Sequence, residues 1–161
     1  MRIWQATLAL AISAAAATAA QAAGEDVYVP IGYTDNMIVL VHTTAELRER
    51  RNLRRATQFT YYAMPSFDFA GVPVRMTETE FEIDCEARTT RRLTAKAYRE
   101  IGDQVGNETY SEAWSDIPAG DHMATMHRLA CVGVGNNDIT FSNLRSAVTG
   151  SLPLLQTAAA G

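Results

Sequence analysis

The sequence predicts an α+β fold, with paired strands followed by a C-terminal helix that one disulfide ties to them. Three observations point to it. Within Val74 to Cys85, the residues from Glu78 onward alternate between acidic and uncharged side chains with a period of two. Residues from Asp121 to Cys131 place apolar side chains at helical spacing. The only two cysteines, Cys85 and Cys131, end those two segments. An even cysteine count in an exported chain argues for a structural cross-link, whereas the same pair in a cytosolic enzyme would suggest metal or redox chemistry.

The export reading comes from the first residues. Arg2 precedes an apolar run from Ile3 to about Ala19, and Ala20-Gln21-Ala22 supplies a small-x-small cleavage signature before the polar Glu25 and Asp26. Residues 1–22 are therefore expected to be a signal peptide. The run is alanine-rich and short of the ~20 strongly apolar residues that a membrane span needs. No cysteine lies near the cleavage site, so the expectation is an exported protein, periplasmic or secreted, without a lipid anchor or a transmembrane segment. Cleavage leaves 139 of the 161 residues and, by removing Arg2, takes the formal charge from −4 to −5. That is one domain's worth of chain. Its acidity argues against nucleic acid as a partner, since nucleic-acid binders are basic over a whole face.

The elements follow in order. Asp26 to Tyr33 and Asn36 to His42 read as a first hairpin, with Asp35 and Asn36 supplying the turn. Thr43 to Glu46 has capping-box spacing for a brief helical turn. Leu53 to Met64 is a third strand, in which Thr57, Phe59 and Tyr61 alternate with Gln58, Thr60 and Tyr62. Pro65, Gly71 and Pro73 then mark a loop. Val74 to Cys85 is the clearest strand: Thr79, Phe81, Ile83 and Cys85 share one face, and Glu78, Glu80, Glu82 and Asp84 the other. A short polar connection, Glu86 to Thr90, leads to a strand over Arg91 to Arg99. Here Leu93, Ala95 and Ala97 are expected inward, with Arg92, Thr94 and Lys96 outward against the acidic row.

Gly102 to Gly120 is polar, with an edge strand expected around Thr109 to Trp114. Asp121 then suits a helix N-cap. Met123, Met126, Leu129 and Ala130 form the apolar side of that helix and are expected to bury against Phe81, Ile83, Leu93 and Ala95. Arg128 suits the last turn and Gly133 the stop. The domain is expected over residues 23–133. Residues 134–161 form a C-terminal tail expected to be partly disordered, whose apolar run Ile139 to Leu155 suits a docked strand or a docked helix but is broken by Gly150 and Pro153.

Several of these residues carry a likeness. A charged strand ends in an aromatic residue and then cysteine, as in Phe81-Glu82-Ile83-Asp84-Cys85. Arg91-Arg92-Leu93 and a strand to Tyr98 follow. Trp114 precedes Pro118, Gly120 and Asp121, and the helix Met126 to Cys131 ends in the second cysteine. In this order and spacing the stretch from Val74 to Cys131 resembles the surface-adhesin protein E-like family of small exported bacterial proteins. The likeness extends more loosely over Val27 to Tyr62. The resemblance implies a mostly antiparallel sheet with a C-terminal helix tied to it by the disulfide, and it implies binding of host matrix proteins. The chain departs from the lipid-anchored adhesin in its leader, in its arginine cluster and in the tail after Cys131.

Catalytic signatures are missing. The sequence holds no Gly-x-Ser-x-Gly, Ser-x-x-Lys or phosphate-cradling loop. His122 and His127 are five apart, which puts them on different sides of a helix, and His42 is distant from both. They read as exposed or capping histidines, with no metal and no cofactor expected. The acidic row reads as ladder charge rather than a catalytic pair. What remains is Arg48, Arg50, Arg51, Arg54 and Arg55, a dense positive run in an acidic protein that could steer an anion or an acidic protein surface. The sequence thus points to a non-enzymatic exported binding module. Its expected partner is a protein, an anionic glycan or lipopolysaccharide. The alternative is a periplasmic inhibitor or accessory subunit of another envelope protein.

Overall fold

The computed structural model describes residues 26–43, 52–66 and 69–158. The leader, the rest of the capping box after Thr43, Arg48, Arg50, Arg51 and residues 159–161 lie outside them. Strands β1 (Tyr28–Tyr33), β2 (Met37–Thr43), β3 (Leu53–Ser66), β4 (Val74–Asp84), β5 (Thr89–Glu100) and β6 (Asp103–Thr109) pair antiparallel in chain order. A short β7 (Ser115–Asp116) pairs with the start of β5 at Thr89 and Thr90. Two helices follow, α1 (His122–Cys131) and α2 (Leu144–Ala158). The α+β reading holds, with an antiparallel sheet and a helix linked to it by the disulfide.

The β1–β2 turn is organised by Thr34, whose hydroxyl accepts the amides of Asn36 and Met37 at 3.2 Å each. Strand β3 runs on through Pro65, which the sequence placed in a loop. Its pairing with β4 skips from Tyr61–Met76 to Ser66–Val74, so the proline sits where the ladder is interrupted and no amide is required. Between β4 and β5, Glu80 opposes Thr94 but Phe81 opposes Arg92, which leaves Leu93 as an inserted residue. Such a bulge inverts the alternation beyond it. Arg91, not Arg92, therefore joins Thr94 and Lys96 on the face of the acidic row. The edge strand falls earlier than Thr109–Trp114, because Ile101 and Gly102 make a two-residue turn in which Gly102 adopts φ 95°.

Register decides which helix covers which face. Val29, Val41, Ala56 and Ile83 share one face and form a cluster with Met126 and Leu129 of α1, against which Phe81, Met123 and Ala130 pack. The expected apolar side of α1 thus docks on Phe81 and Ile83, with β1 and β2 taking the place of Leu93 and Ala95. Ile38, Leu40, Phe59 and Met76 point the other way and bury against Ala147, Val148 and Leu155 of α2. The tail run that the sequence left open is a helix, with Pro153 inside it. Gly150 sets its closeness: a Cβ there would lie 2.5 Å from the Phe141 ring. Phe141 in turn exchanges backbone hydrogen bonds with Tyr28 at 2.9 and 3.0 Å, extending the sheet beyond β1.

Cys85 and Cys131 are bonded, with Cα atoms 5.6 Å apart, and close a separation of 46 residues. Beside them His127 is buried, its Nε2 3.4 Å from the Cys85 carbonyl oxygen, so it belongs to the helix–sheet contact rather than to solvent. The loop after α1 is held by the Asp138 carboxylate, which accepts from Arg128 Nη1 at 3.0 Å, Arg128 Nη2 at 2.8 Å and the Gly135 amide at 2.7 Å. The Arg128 hydrogen bonds, and then that of Gly135, hold this carboxyl below the usual aspartate range.

Replacing both cysteines with alanine is expected to lower unfolding free energy by at most ~4 kcal/mol, the chain-entropy figure for a loop of this length. Urea titration reads the change directly. An unchanged midpoint would mean that α1 holds to the sheet without the bond.

Candidate functional site

Arg54 and Arg55 are consecutive on β3 and so project from opposite faces. Arg55 stands opposite Glu82 in the register, and its Nη1 donates to Glu80. Arg54 Nη1 donates to the Leu53 carbonyl at 3.1 Å. The two described arginines of the cluster are therefore not brought together, and Arg48, Arg50 and Arg51 lie outside the described residues.

The acidic row is committed to neighbours. Glu78 accepts from Lys96 Nζ and from the Tyr98 hydroxyl, each at 2.6 Å. Burial first, and then this bond to Glu78, push the Tyr98 phenol above its ordinary range. Glu80 takes Arg55. Glu82, 9% exposed, accepts from Arg91 Nε at 2.9 Å and Nη2 at 2.6 Å. Asp84 accepts the Glu86 and Ala87 amides of the following turn at 3.0 and 2.9 Å. The alternating acid and base across β3, β4 and β5 form one ladder on the α2 face. Trp114 flanks it, with the Arg91 guanidinium 4.8 Å from its ring centre. Arg92, turned to the opposite face by the bulge, pairs with Glu112 and lies 3.9 Å over Tyr110.

The histidines are dispersed. His42 stacks on Tyr28 at 4.9 Å and meets Asp26 at 3.0 Å. His122 Nδ1 meets the Asp121 carboxylate, which makes no side-chain cap bond to the helix it precedes. Among the described residues no three of histidine, cysteine, aspartate or glutamate gather as a metal site. No helix among them is long and apolar enough to cross a membrane.

A pocket of about 400 Å³ opens on the α1 face. Its floor is Met37 and Val39 of β2 with Gln58, Thr60 and Tyr62 of β3, and His122 closes it from the first turn of α1. Gln58 Nε2 donates to the Thr60 hydroxyl at 3.2 Å, and its Oε1 is buried with no protein donor. The alternation of Gln58, Thr60 and Tyr62 in the sequence signals a polar strand face. Nothing local signals its closure, because β1 is shifted by an irregularity between Pro30 and Gly32, and His122 arrives from a helix 90 residues further on.

The family model for surface-adhesin protein E matches residues 28–132, from β1 to just past the second cysteine. No curated protein matches the chain, and no solved structure does.

Arg91→Ala leaves the nearly buried Glu82 carboxylate without its two charged donors. It is expected to cost about 1.5–3 kcal/mol, whereas Arg92→Ala, whose partner is more exposed, should cost under ~1 kcal/mol. Thermal melts of the two variants check the bulge: equal losses would place both arginines in the same environment.

Proposed function

The chain belongs to the surface-adhesin protein E family, and on that premise we propose that it is an exported, non-enzymatic binding module of adhesin-like character. The partner is a matrix protein or an anionic surface, and the segment carrying Arg48, Arg50, Arg51, Arg54 and Arg55 makes the contact. The observation that carries this reading is the family match across the whole sheet and α1. The use of the β4 carboxylates supports it, since Glu78, Glu80 and Glu82 are each engaged by a neighbouring strand. A carboxylate that works as acid or base needs a reacting group within hydrogen-bond reach instead. The arginine run supports an anionic partner, because it gathers five cations within eight positions of an acidic chain.

The test is the triple variant Arg48→Gln, Arg50→Gln and Arg51→Gln, which leaves the ladder intact. Screening shortens the reach of exposed charge from ~10 Å at about 0.1 M salt to ~3 Å at about 1 M. Binding of the parent to heparin and to matrix-protein surfaces is expected to fall with salt, and the triple variant should lose it at low salt while keeping its circular dichroism. Equal binding by parent and variant at every salt concentration would remove the arginine segment from the contact. Capture of one stoichiometric envelope enzyme would replace the adhesin-like reading with that of an inhibitor or accessory subunit.

A further inference from the structure

The pocket on the α1 face has a chemistry different from that of the arginine segment. The chain carries 14 basic and 18 acidic residues, yet no Lys, Arg, Asp or Glu lines this pocket. His122, which closes it, already faces the Asp121 carboxylate. An anionic ligand would meet no arginine or lysine there, and a cationic ligand no carboxylate among the lining residues.

A wholly apolar ligand fits no better. Gln58 Oε1 is a desolvated acceptor without a protein donor, which costs about 1–3 kcal/mol until a donor reaches it. Thr60 accepts from the Gln58 amide nitrogen, which leaves its hydroxyl proton for another acceptor. His122 Nδ1 is engaged, leaving Nε2 for a further hydrogen bond. Beside these groups stand apolar surfaces: the Tyr62 ring, Met37 and Val39. Amide, hydroxyl and imidazole next to aromatic and aliphatic side chains suit a ligand with many uncharged hydroxyls and one flat C–H face. The volume, about 400 Å³, falls at the small end of the ~300–1,000 Å³ range of ligand sites.

The backbone keeps the space open. Gly32 stands opposite Val39 just after the irregularity in β1, where an added Cβ would lie 3.7 Å from His122 Cβ and 3.9 Å from Val39 Cβ. Those are ordinary contacts, so a side chain is tolerated there, and its absence leaves the gap between β1 and α1. On the ladder face the Arg55, Arg91 and Lys96 cations are instead paired with Glu80, Glu82 and Glu78.

We propose that this pocket binds a single neutral saccharide unit. It stands on the pocket alone and is independent of the arginine segment. Saturation-transfer NMR on the exported protein, with methyl glycosides of glucose, galactose, mannose and N-acetylglucosamine as probes at millimolar concentration, tests it. At least one glycoside is expected to receive saturation, strongest on the ring C–H protons that face Tyr62. Gln58→Leu removes the amide at nearly constant volume, and Gly32→Val fills the gap from β1. Each should weaken that binding at least about tenfold, the equivalent of one lost hydrogen bond or contact of ~1.4 kcal/mol. The arginine triple variant should bind the glycoside as the parent does. Absence of transfer to all four glycosides overturns the proposal. So does transfer that survives in whichever of the two pocket variants keeps the parent's melting temperature. Loss of heparin binding in the arginine variant, with glycoside binding intact, would separate this site from the anion contact.

Discussion

Strand β2 is the constraint on which the rest of the structure depends. Ile38, Val39, Leu40 and Val41 are four consecutive residues, all at 5% exposure or less. Successive residues of a strand face opposite ways, so a strand can bury such a run only when both faces of the sheet are covered. Helix α1 covers Val41 and its neighbours, and α2 covers Ile38 and Leu40. Neither helix substitutes for the other. The disulfide fastens α1 at its C-terminal end, while Phe141 leads α2 onto the opposite face through its bridge to Tyr28. The region matched by the family model stops at residue 132, before α2 begins at Leu144, so the second cover lies outside the matched residues.

Away from β2 the two faces diverge. On the α2 face the sheet changes from Phe59, Met76 and Tyr98 to the ladder of Arg55, Glu80, Glu82, Arg91, Glu78 and Lys96 within a few residues. These charges are spent on one another. On the α1 face Gln58 and Thr60 line a pocket, and Gln58 Oε1 is buried without a protein donor. A binding module needs polar groups left over for a partner. The ladder's charges are paired across strands and serve the fold, although Arg55 Nε is buried without a hydrogen-bond partner in the protein. The proposed arginine contact and the proposed neutral site favour different chemistries.

Much of this was legible in sequence where the signal is local. The period-two alternation of Val74 to Cys85 marked β4 and the direction of Phe81 and Ile83, and helical spacing with the two cysteines marked α1 and its cross-link. What escaped depends on events between strands. The bulge at Leu93 exchanged Arg92 for Arg91, because an inserted residue leaves no mark in the alternation of one strand alone. The position of β6 was set by Gly102 acting as a turn residue. Pro65 was accommodated by an interrupted ladder. Residues Ile139 to Leu155 carry both a glycine and a proline, which argue locally against a helix, yet Gly150 is where the helix must approach Phe141. The pocket was invisible for the same reason. Its floor belongs to two strands and its cap to a helix, so only the assembled sheet brings Gln58 and His122 together.

Native-state hydrogen exchange tests the two-sided cover of β2 most directly. If α1 and α2 bury its two faces as described, the amides of Ile38, Val39, Leu40 and Val41 should exchange only through global unfolding and be among the slowest in the molecule. The amides of β6, at the exposed edge, should exchange by local opening. Exchange in β2 as fast as in β6 would mean that one of the two helices does not cover the sheet, and the account of the fold would fail with it.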